Sequence, residues 1–110
     1  MAFVIRYYSV DVQSGIASLP ASLIARYIAL TERMIDYGPN LGAPHTKALG
    51  DGLFELRLKS ADGIARVFFA LQAGQIIVML HSLVKKNQKT PPRDLRLAVS
   101  RLQEIRRAPR

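Results

Sequence analysis

The residues best suited to chemistry lie near the end of the chain, where basic side chains follow an apolar run. Residues 81–110 contain nine Lys or Arg residues against only Asp94 and Glu104, so most of the net charge of +8 lies in this segment. Clustered cations repel one another in a folded protein and are favourable mainly where an anion neutralises them. The distribution predicts a polyanionic partner, either nucleic acid or an acidic protein segment. A basic surface that serves only solubility is the alternative.

The first of two predicted hairpins brings basic residues of neighbouring strands together. Residues 60–63 form a turn of the Asp-Gly kind, and a loop of two or four residues puts Arg66 opposite Lys59 or Arg57. In both registers these three side chains lie on one face of the sheet. Like charges directly across a sheet are destabilising, so the arrangement favours an anionic ligand.

The second predicted hairpin adds His81 and Lys85 to that face. Pairing Leu71 with Ile76 across the next turn places Arg66 opposite His81. Side chains two residues apart on a strand share a face, so Lys85 points to the same side as His81. The prediction is one basic patch built by three strands, with Arg57, Arg66, His81 and Lys85 as its members.

Purely structural explanations of the same residues stay open. Arg57 is also explained by a surface salt bridge to Glu55 or Asp62, and Arg66 by a solvated edge position. A single histidine that ends an apolar strand, as His81 does, is often a hydrogen-bonded border residue. The three lysines between residues 85 and 89 could form a solvated loop, although their density favours anion binding.

Such a patch suits the cleavage of RNA by its own 2′-hydroxyl group. Arginines and lysines stabilise the extra charge of a pentacovalent phosphorane, and a histidine or a lysine of lowered pKa can move the proton. The substrate supplies the nucleophile, so the reaction requires no metal. The sequence contains no cysteine and no discernible Ser/His/Asp, nucleotide-loop or metal-binding motif. We therefore expect no cofactor and no metal site.

The elements that must position these residues begin with a strand and two helices. Alternating β-forming residues predict a strand over residues 2–8. Asp11 is a candidate N-cap of a short helix over residues 10–19. Pro20 suits the first turn of a longer helix, which apolar residues at helical spacing continue to about Tyr37, where a Gly-Pro pair ends it.

A loop rich in glycine and proline is predicted over residues 41–52, and the sheet follows it. Alternating charged and apolar residues predict a strand over residues 54–59 with one buried and one charged face. A strand over residues 64–71 and an apolar run over residues 76–80, typical of a covered central strand, complete an antiparallel meander.

A C-terminal helix is predicted after the basic loop. Thr90 is a candidate N-cap and Pro91 a candidate first helical residue, and apolar residues recur at helical spacing as far as Ile105. Its exposed face is predicted to carry Arg93, Arg96, Ser100, Gln103 and Arg107.

These elements predict an α+β fold in one domain over residues 1–110, since a chain of this length buries a single core. No stretch approaches the roughly 18 consecutive apolar residues of a membrane span. The N-terminus lacks a basic segment followed by a long apolar one. We therefore expect a cytoplasmic protein without a membrane partner.

Three motifs resemble the phage-derived HigB-like toxins of the RelE/ParE superfamily. They are Gly-Leu-Phe-Glu-Leu-Arg at residues 52–57, Gly-Ile-Ala-Arg-Val at residues 63–67, and the run at residues 80–91, in which Lys-Lys-x-Gln-Lys-Thr-Pro follows a strand. The last motif is the most specific of the three. The similarity extends from residues 19–20 into the last helix, so it covers most of the chain.

The resemblance implies a RelE/ParE-like toxin with two N-terminal helices packed on a curved antiparallel sheet and a C-terminal helix. It implies a type II toxin–antitoxin system in which the cognate antitoxin is a helix-turn-helix protein from the adjacent gene. Many relatives cut mRNA on the ribosome and leave a 2′,3′-cyclic phosphate. The implied function is therefore a ribosome-dependent mRNA endonuclease.

The resemblance also implies roles for individual residues. Arg66 takes the place of the arginine that contacts the scissile phosphate, and His81, Lys85 and Lys86 complete the implied catalytic set. The implied RNA-binding residues are Arg57, Lys59, His45, Lys47, Lys89 and Arg93. The chain departs from RelE proper at Glu55, where RelE has a second basic residue, and it lacks a tyrosine near the last helix.

Other activities are compatible with the same fold, because fold alone does not decide function. Relatives of the ParE type inhibit DNA gyrase, so a non-catalytic gyrase inhibitor or an inactive toxin-derived binding protein is the alternative. A third possibility is a basic module whose ligand is an acidic or amphipathic antitoxin segment laid across the sheet and helices.

Overall fold

The computed structural model describes residues 2–85 and 89–107, and a mixed sheet with helices on both faces forms its framework. The elements in chain order are β1 (Val4–Tyr7), α1 (Val10–Ala17), α2 (Ala21–Tyr37), β2 (Thr46–Gly50), β3 (Leu53–Ser60), β4 (Gly63–Leu71), β5 (Ile76–Lys85) and α3 (Pro92–Arg107). The predicted α+β class is confirmed. Across the described ranges, no helix is both long and apolar enough to pass through a bilayer.

The sheet has the strand order β1-β5-β4-β3-β2. β1 pairs with β5 in parallel, from Val4 opposite Ile76 to Tyr7 opposite Met79. The prediction of a wholly antiparallel sheet is therefore wrong for this edge. The reason is that α1, α2 and three strands intervene between β1 and β5, and a connection that long can return the chain in the same direction.

β2 is a strand where the sequence predicts a loop over residues 41–52. It pairs antiparallel with β3, with Thr46 opposite Leu56 and Lys47 opposite Glu55. The glycines at its end make this strand hard to recognise in the sequence. Gly50 and Gly52 flank a tight turn, and their φ values of 101° and 84° favour residues without a Cβ atom. The strand matters for the site because Thr46 is where the outer edge of β3 becomes covered.

The alternation of side chains along the strands creates two cores, one on each face of the sheet. One core packs under α1 and α2 and includes Leu23, Leu30, Met34, Leu56, Val67, Phe69 and Met79. The other packs under α3 and consists of Leu53, Phe68, Ala70, Val78, Leu80, Ala98 and Leu102. The two N-terminal helices and the C-terminal helix therefore cover opposite faces.

The caps of the first two helices match the sequence only in part. Ser9, and not Asp11, caps α1: its hydroxyl accepts a hydrogen bond from the Val12 N–H at 3.1 Å. Asp11 lies one residue inside the helix, in the first turn. The predicted end of α2 at Tyr37 is confirmed, and Gly38 leaves the helical conformation there with a φ of 99°.

The start of α3 also differs from the prediction. The helix begins at Pro92, and the carbonyl of Pro91 accepts hydrogen bonds from Asp94 N at 3.1 Å and Leu95 N at 3.2 Å. The Thr90 hydroxyl bonds to a side chain of β3 and so does not cap the helix. The predicted exposed face of α3 is confirmed, since each of its five residues is exposed.

The register of the β3–β4 hairpin agrees with one of the two predicted alternatives. A two-residue turn pairs Ser60 with Gly63, which places Arg57 directly opposite Arg66. Lys59 lies opposite Ile64, on the same face as Arg57.

The β4–β5 hairpin differs from the prediction in two places. Its turn is one residue longer, and a β-bulge leaves Leu80 between consecutive pairs. Arg66 therefore lies opposite Leu83, and its predicted pairing with His81 is wrong. A shift by one residue turns every side chain to the other face, so two shifts restore the predicted face. His81 and Lys85 consequently share the face of Arg66.

Candidate functional site

The carboxylate of Glu55 is the centre around which basic side chains gather. Its Oε2 atom accepts hydrogen bonds from Arg57 Nε at 3.2 Å and from the guanidinium of Arg66. Its Oε1 atom accepts a hydrogen bond from the Thr90 hydroxyl at 3.0 Å. Lys85 donates from Nζ to the same hydroxyl at 3.4 Å. We call these five residues the Glu55 cluster.

Strand alternation explains why the cluster forms. Glu55 and Arg57 are two residues apart on β3 and therefore point to the same face. Arg66 enters from β4 opposite Arg57, and Lys85 enters from the end of β5. Three neighbouring strands therefore deliver one carboxylate and three cations to one place.

Two of the three cations in the Glu55 cluster are buried and are not available to solvent as an open patch. Arg66 and Lys85 are buried, with 4% and 6% of their surfaces exposed, whereas the Arg57 side chain is 37% exposed. The open basic patch expected from the sequence is therefore largely an internal ionic cluster. A solvated edge position for Arg66 is excluded, and the salt bridge between Arg57 and Glu55 is present.

Glu55 is held in its ionised form. Burial by itself would raise the pKa of this carboxyl, but the hydrogen bond from Thr90 and the positive charge of Arg66 outweigh it, with Arg57 adding to the effect. The net result is a pKa below the ordinary value for glutamate. Each of these partners interacts best with the ionised carboxylate.

The pKa of Lys85 is lowered from its ordinary value. Burial is the largest cause, since it penalises the charged ammonium group and lowers the pKa. The positive charge of Arg66 lowers the pKa further, and the negative charge of Glu55 opposes both effects. A lysine of lowered pKa exchanges its proton nearer to neutral pH than an ordinary lysine, which suits it to proton transfer.

His81 is separated from the Glu55 cluster by its partners. Its Nε2 atom lies 2.7 Å from Oδ1 of Asp94, in the first turn of α3. Its ring stacks on Phe68 with centroids 6.2 Å apart and an angle of 6° between the planes. His81 therefore occupies the border position that the structural explanation describes, and it also lines a cavity of about 220 Å³ with Arg101.

A second basic feature lies beside the cluster, at the outer edge of β3. It is a groove of about 300 Å³, and we call it the edge groove. The basic residues that line it are Arg26, His45, Arg57, Lys59 and Arg66, and the apolar ones are Pro44, Leu58 and Ile64. Four of these five basic residues are among those singled out from the sequence.

The remaining predicted site residues are more dispersed. Lys47 is exposed on β2 opposite Glu55. Lys89 and Arg93 are exposed before and within the first turn of α3. Lys86 lies outside the described residues. Among the residues that the structure describes, no group of three or more His, Asp or Glu side chains is arranged to hold a metal ion.

Sequence reasoning missed three participants. Glu55 was interpreted as a surface salt-bridge partner and as a departure from RelE, and Thr90 as a helix cap. Arg26 was not singled out at all. The position of Glu55 two residues before Arg57 was the available signal, because it puts the acid on the face of the cations. Nothing local connects Arg26 to β3, because α2 meets the sheet only in the folded chain.

Comparison with known proteins bears on this geometry. A family model described as phage-derived protein Gp49-like matches residues 14–103. The chain belongs to this family. Every member of the Glu55 cluster lies within the part of the Gp49-like chain that matches. A search of curated proteins finds no match.

A solved structure shares the fold of this Gp49-like protein. The free state of an E. coli RelE toxin mutant superposes with a TM-score of 0.68, covering 93% of this chain and 99% of that chain. The two sequences are 9% identical. The RelE-like fold implied by the sequence resemblance is therefore confirmed.

Proposed function

We propose that this protein is a HigB-like toxin of a type II toxin–antitoxin system and that it cuts mRNA on the ribosome. The observation that carries the proposal is the convergence of Arg57, Arg66 and Lys85 from three strands at one end of a RelE-like sheet. Membership of the Gp49-like family and the strand-end motif support it.

In the proposed reaction the RNA supplies its own nucleophile. The 2′-oxygen attacks the adjacent phosphorus and the bond to the 5′-oxygen of the next nucleotide breaks, which leaves a 2′,3′-cyclic phosphate and a 5′-hydroxyl. Arg66 and Arg57 stabilise the negative charge that develops on the phosphate oxygens. Such stabilisation is strong where the cations are held in place before the reaction, as Glu55 holds these two.

Two proton transfers complete the reaction. The 2′-hydroxyl proton must leave as the oxygen attacks, and the departing 5′-oxygen must gain a proton. Lys85, whose pKa is lowered by burial, His81 and Lys86 are the proposed groups for these transfers. Asp94 would orient the His81 ring for this role.

The proposed substrate is mRNA on the ribosome, and the proposed protein partner is an antitoxin from the adjacent gene. Lys59, His45, Lys47, Lys89 and Arg93 are the proposed contacts to flanking RNA. Such contacts position a strand without reading its sequence, so codon preference would come from the ribosome-bound state. The proposed compartment is the cytoplasm, where ribosomes and mRNA meet.

The test is cleavage of a defined mRNA in a purified translation system, with primer extension to map the cuts. Arg57→Gln removes one exposed cation, and Arg66→Lys keeps the buried charge while it removes the planar guanidinium. We expect either change to lower the cleavage rate about a hundredfold or more. Arg33→Gln, on the exposed surface of α2, is the matched control. Equal cutting by the wild type and the Arg57 variant would reject the proposal.

One observation favours a non-catalytic binding protein as the second candidate. Glu55 already neutralises part of the charge on Arg66 and Arg57, so an incoming phosphate must share these guanidiniums with a carboxylate. Induction of the chain in cells separates the two functions. Protein synthesis should stop first if the nuclease proposal holds, whereas an early stop of DNA replication would favour gyrase inhibition.

A further inference from the structure

We propose that the edge groove holds a second nucleotide of single-stranded RNA, next to the one that is cut, and that Arg26 of α2 binds its phosphate. The inference rests on the proposed function and extends it by adding a binding residue outside the sheet. The groove connects directly with the Glu55 cluster, because Arg57 and Arg66 belong to both.

The groove exists because β2 is shorter than the strand beside it. β2 begins at Thr46, opposite Leu56, so β3 continues past it as far as Ser60. At that point the backbone carbonyl of His45 accepts a hydrogen bond from the Arg57 N–H at 2.8 Å. This bond holds the segment before β2 against the edge of β3, and that segment forms one wall of the edge groove.

The opposite wall is α2, and specific contacts set its position. The Ser22 hydroxyl lies 2.5 Å from the Ser60 hydroxyl and donates to Oδ2 of Asp62 at 2.6 Å. These bonds anchor the first turn of α2 to the β3–β4 turn. Arg26 is four residues after Ser22, so its side chain leaves the same side of the helix one turn further along. The geometry therefore directs Arg26 toward the groove.

Charge identifies the kind of ligand. Among the described residues that line the groove, the charged or basic ones are three arginines, one lysine and one histidine, and none carries a carboxylate. The nearby carboxylates of Glu55 and Asp62 are each bonded to a protein side chain. Cations gathered in a concave surface attract phosphate, because the low-dielectric walls concentrate their field.

The apolar part of the lining favours a nucleotide over a bare phosphate. Pro44, which is exposed, and Ile64, which is half-buried, give the groove a hydrophobic surface beside its cations, whereas the lining residue Leu58 is fully buried. A volume of about 300 Å³ lies at the lower end of small-molecule sites. Bases of a single strand are free to pack against such surfaces while their phosphates meet the basic groups.

The test measures binding without cleavage. A fluorescently labelled short RNA with 2′-O-methyl groups cannot be cut, and its anisotropy is followed with the full chain at KCl concentrations between about 50 and 200 mM. We expect Arg26→Gln to weaken binding about fivefold. We also expect the slope of log K against log salt to become shallower by about 0.7, which is the value for one lost phosphate contact with a single strand.

Arg33→Gln is the control because it removes the same charge from the same helix. Arg33 lies two turns beyond Arg26, on nearly the same side, and does not line the groove. Its substitution should leave both affinity and slope unchanged. Equal losses in the two variants would show only diffuse charge and would overturn the proposal.

Competitors decide which part of the nucleotide binds. An abasic strand of the same length should bind more weakly than the RNA, and inorganic phosphate should compete only weakly. Equal binding of the abasic strand would overturn the nucleotide assignment. The two proposals can fail independently. Arg26-dependent binding of RNA without any cleavage of mRNA would support the groove proposal and reject the nuclease proposal. Cleavage of mRNA without Arg26-dependent binding would support the nuclease proposal and reject the groove proposal.

Discussion

Glu55 and Arg66 form an ion pair inside the sheet, with 3% and 5% of their side chains exposed. Arg57 shares the carboxylate and is the member of the three that reaches the surface, with 37% of its side chain exposed. A buried pair of this kind contributes little net stability compared with apolar residues, but removal of one partner leaves an uncompensated charge in the interior. Substitutions in this buried pair should therefore change stability much more than substitutions in an exposed salt bridge would.

The first prediction concerns the free energy of unfolding. Glu55→Leu should lower it by about 3–5 kcal/mol, because three cations would then face one another without the carboxylate. The double change Glu55→Leu and Arg66→Met should lose less than the sum of the two single changes. Urea denaturation measures all four proteins, and Lys47→Gln on the exposed side of β2 should change stability by less than about 0.5 kcal/mol. Additive losses would contradict a direct interaction.

The second prediction concerns acid. The folded pKa of Glu55 lies below its ordinary value of 4.5, so the folded state binds fewer protons than the unfolded state near that pH. The stability contributed by ionisation of Glu55 is therefore complete above about pH 4.5 and is lost as pH falls through the folded pKa. The free energies of unfolding of the wild type and of Glu55→Gln should therefore converge as the pH is lowered. A constant difference between the two from about pH 6 to pH 3 would refute this prediction.

The third prediction concerns Lys85. Its pKa, measured by NMR of the side chain, should lie below the ordinary value of 10.5. Glu55→Gln should lower this pKa further, because the negative charge of Glu55 favours the ammonium form. Lys47→Gln should have the opposite sign, because the charge of Lys47 lowers the pKa of Lys85. If Lys85 transfers a proton in the reaction, the pH profile of cleavage should move in the same two directions.

The fourth prediction separates two roles of His81. His81→Gln and Asp94→Asn both interrupt the contact between β5 and the first turn of α3, so each should lower stability by about 1 kcal/mol. A catalytic His81 predicts that His81→Gln lowers the single-turnover cleavage rate about a hundredfold or more, and that Asp94→Asn lowers it as well because Asp94 orients the ring. A fall of less than about tenfold for His81→Gln would instead assign His81 to the positioning of α3.

Much of the fold was predictable because it depends on local periodicity. The helical spacing of α2, the alternation in β3 and the two-residue turn before Gly63 are each determined by neighbouring residues. The parallel pairing of β1 was not predictable in this way, since it joins Val4 to Ile76, which lie far apart in the chain. β2 was missed because glycines at its end weaken the strand signal.

The candidate site shows the same division. The sequence by itself determined that Arg57, Lys59 and Arg66 share a face of the sheet, because side chains alternate along β3 and β4. His81 and Lys85 lie on that face because the longer turn and the bulge in β5 offset each other, which the sequence did not show. Only the tertiary structure decided that Glu55 lies among them, that a bulge at Leu80 directs His81 toward Asp94, and that α2 brings Arg26 to the edge of β3. Burial and proximity between distant segments depend on how whole elements pack, and no local pattern encodes that packing.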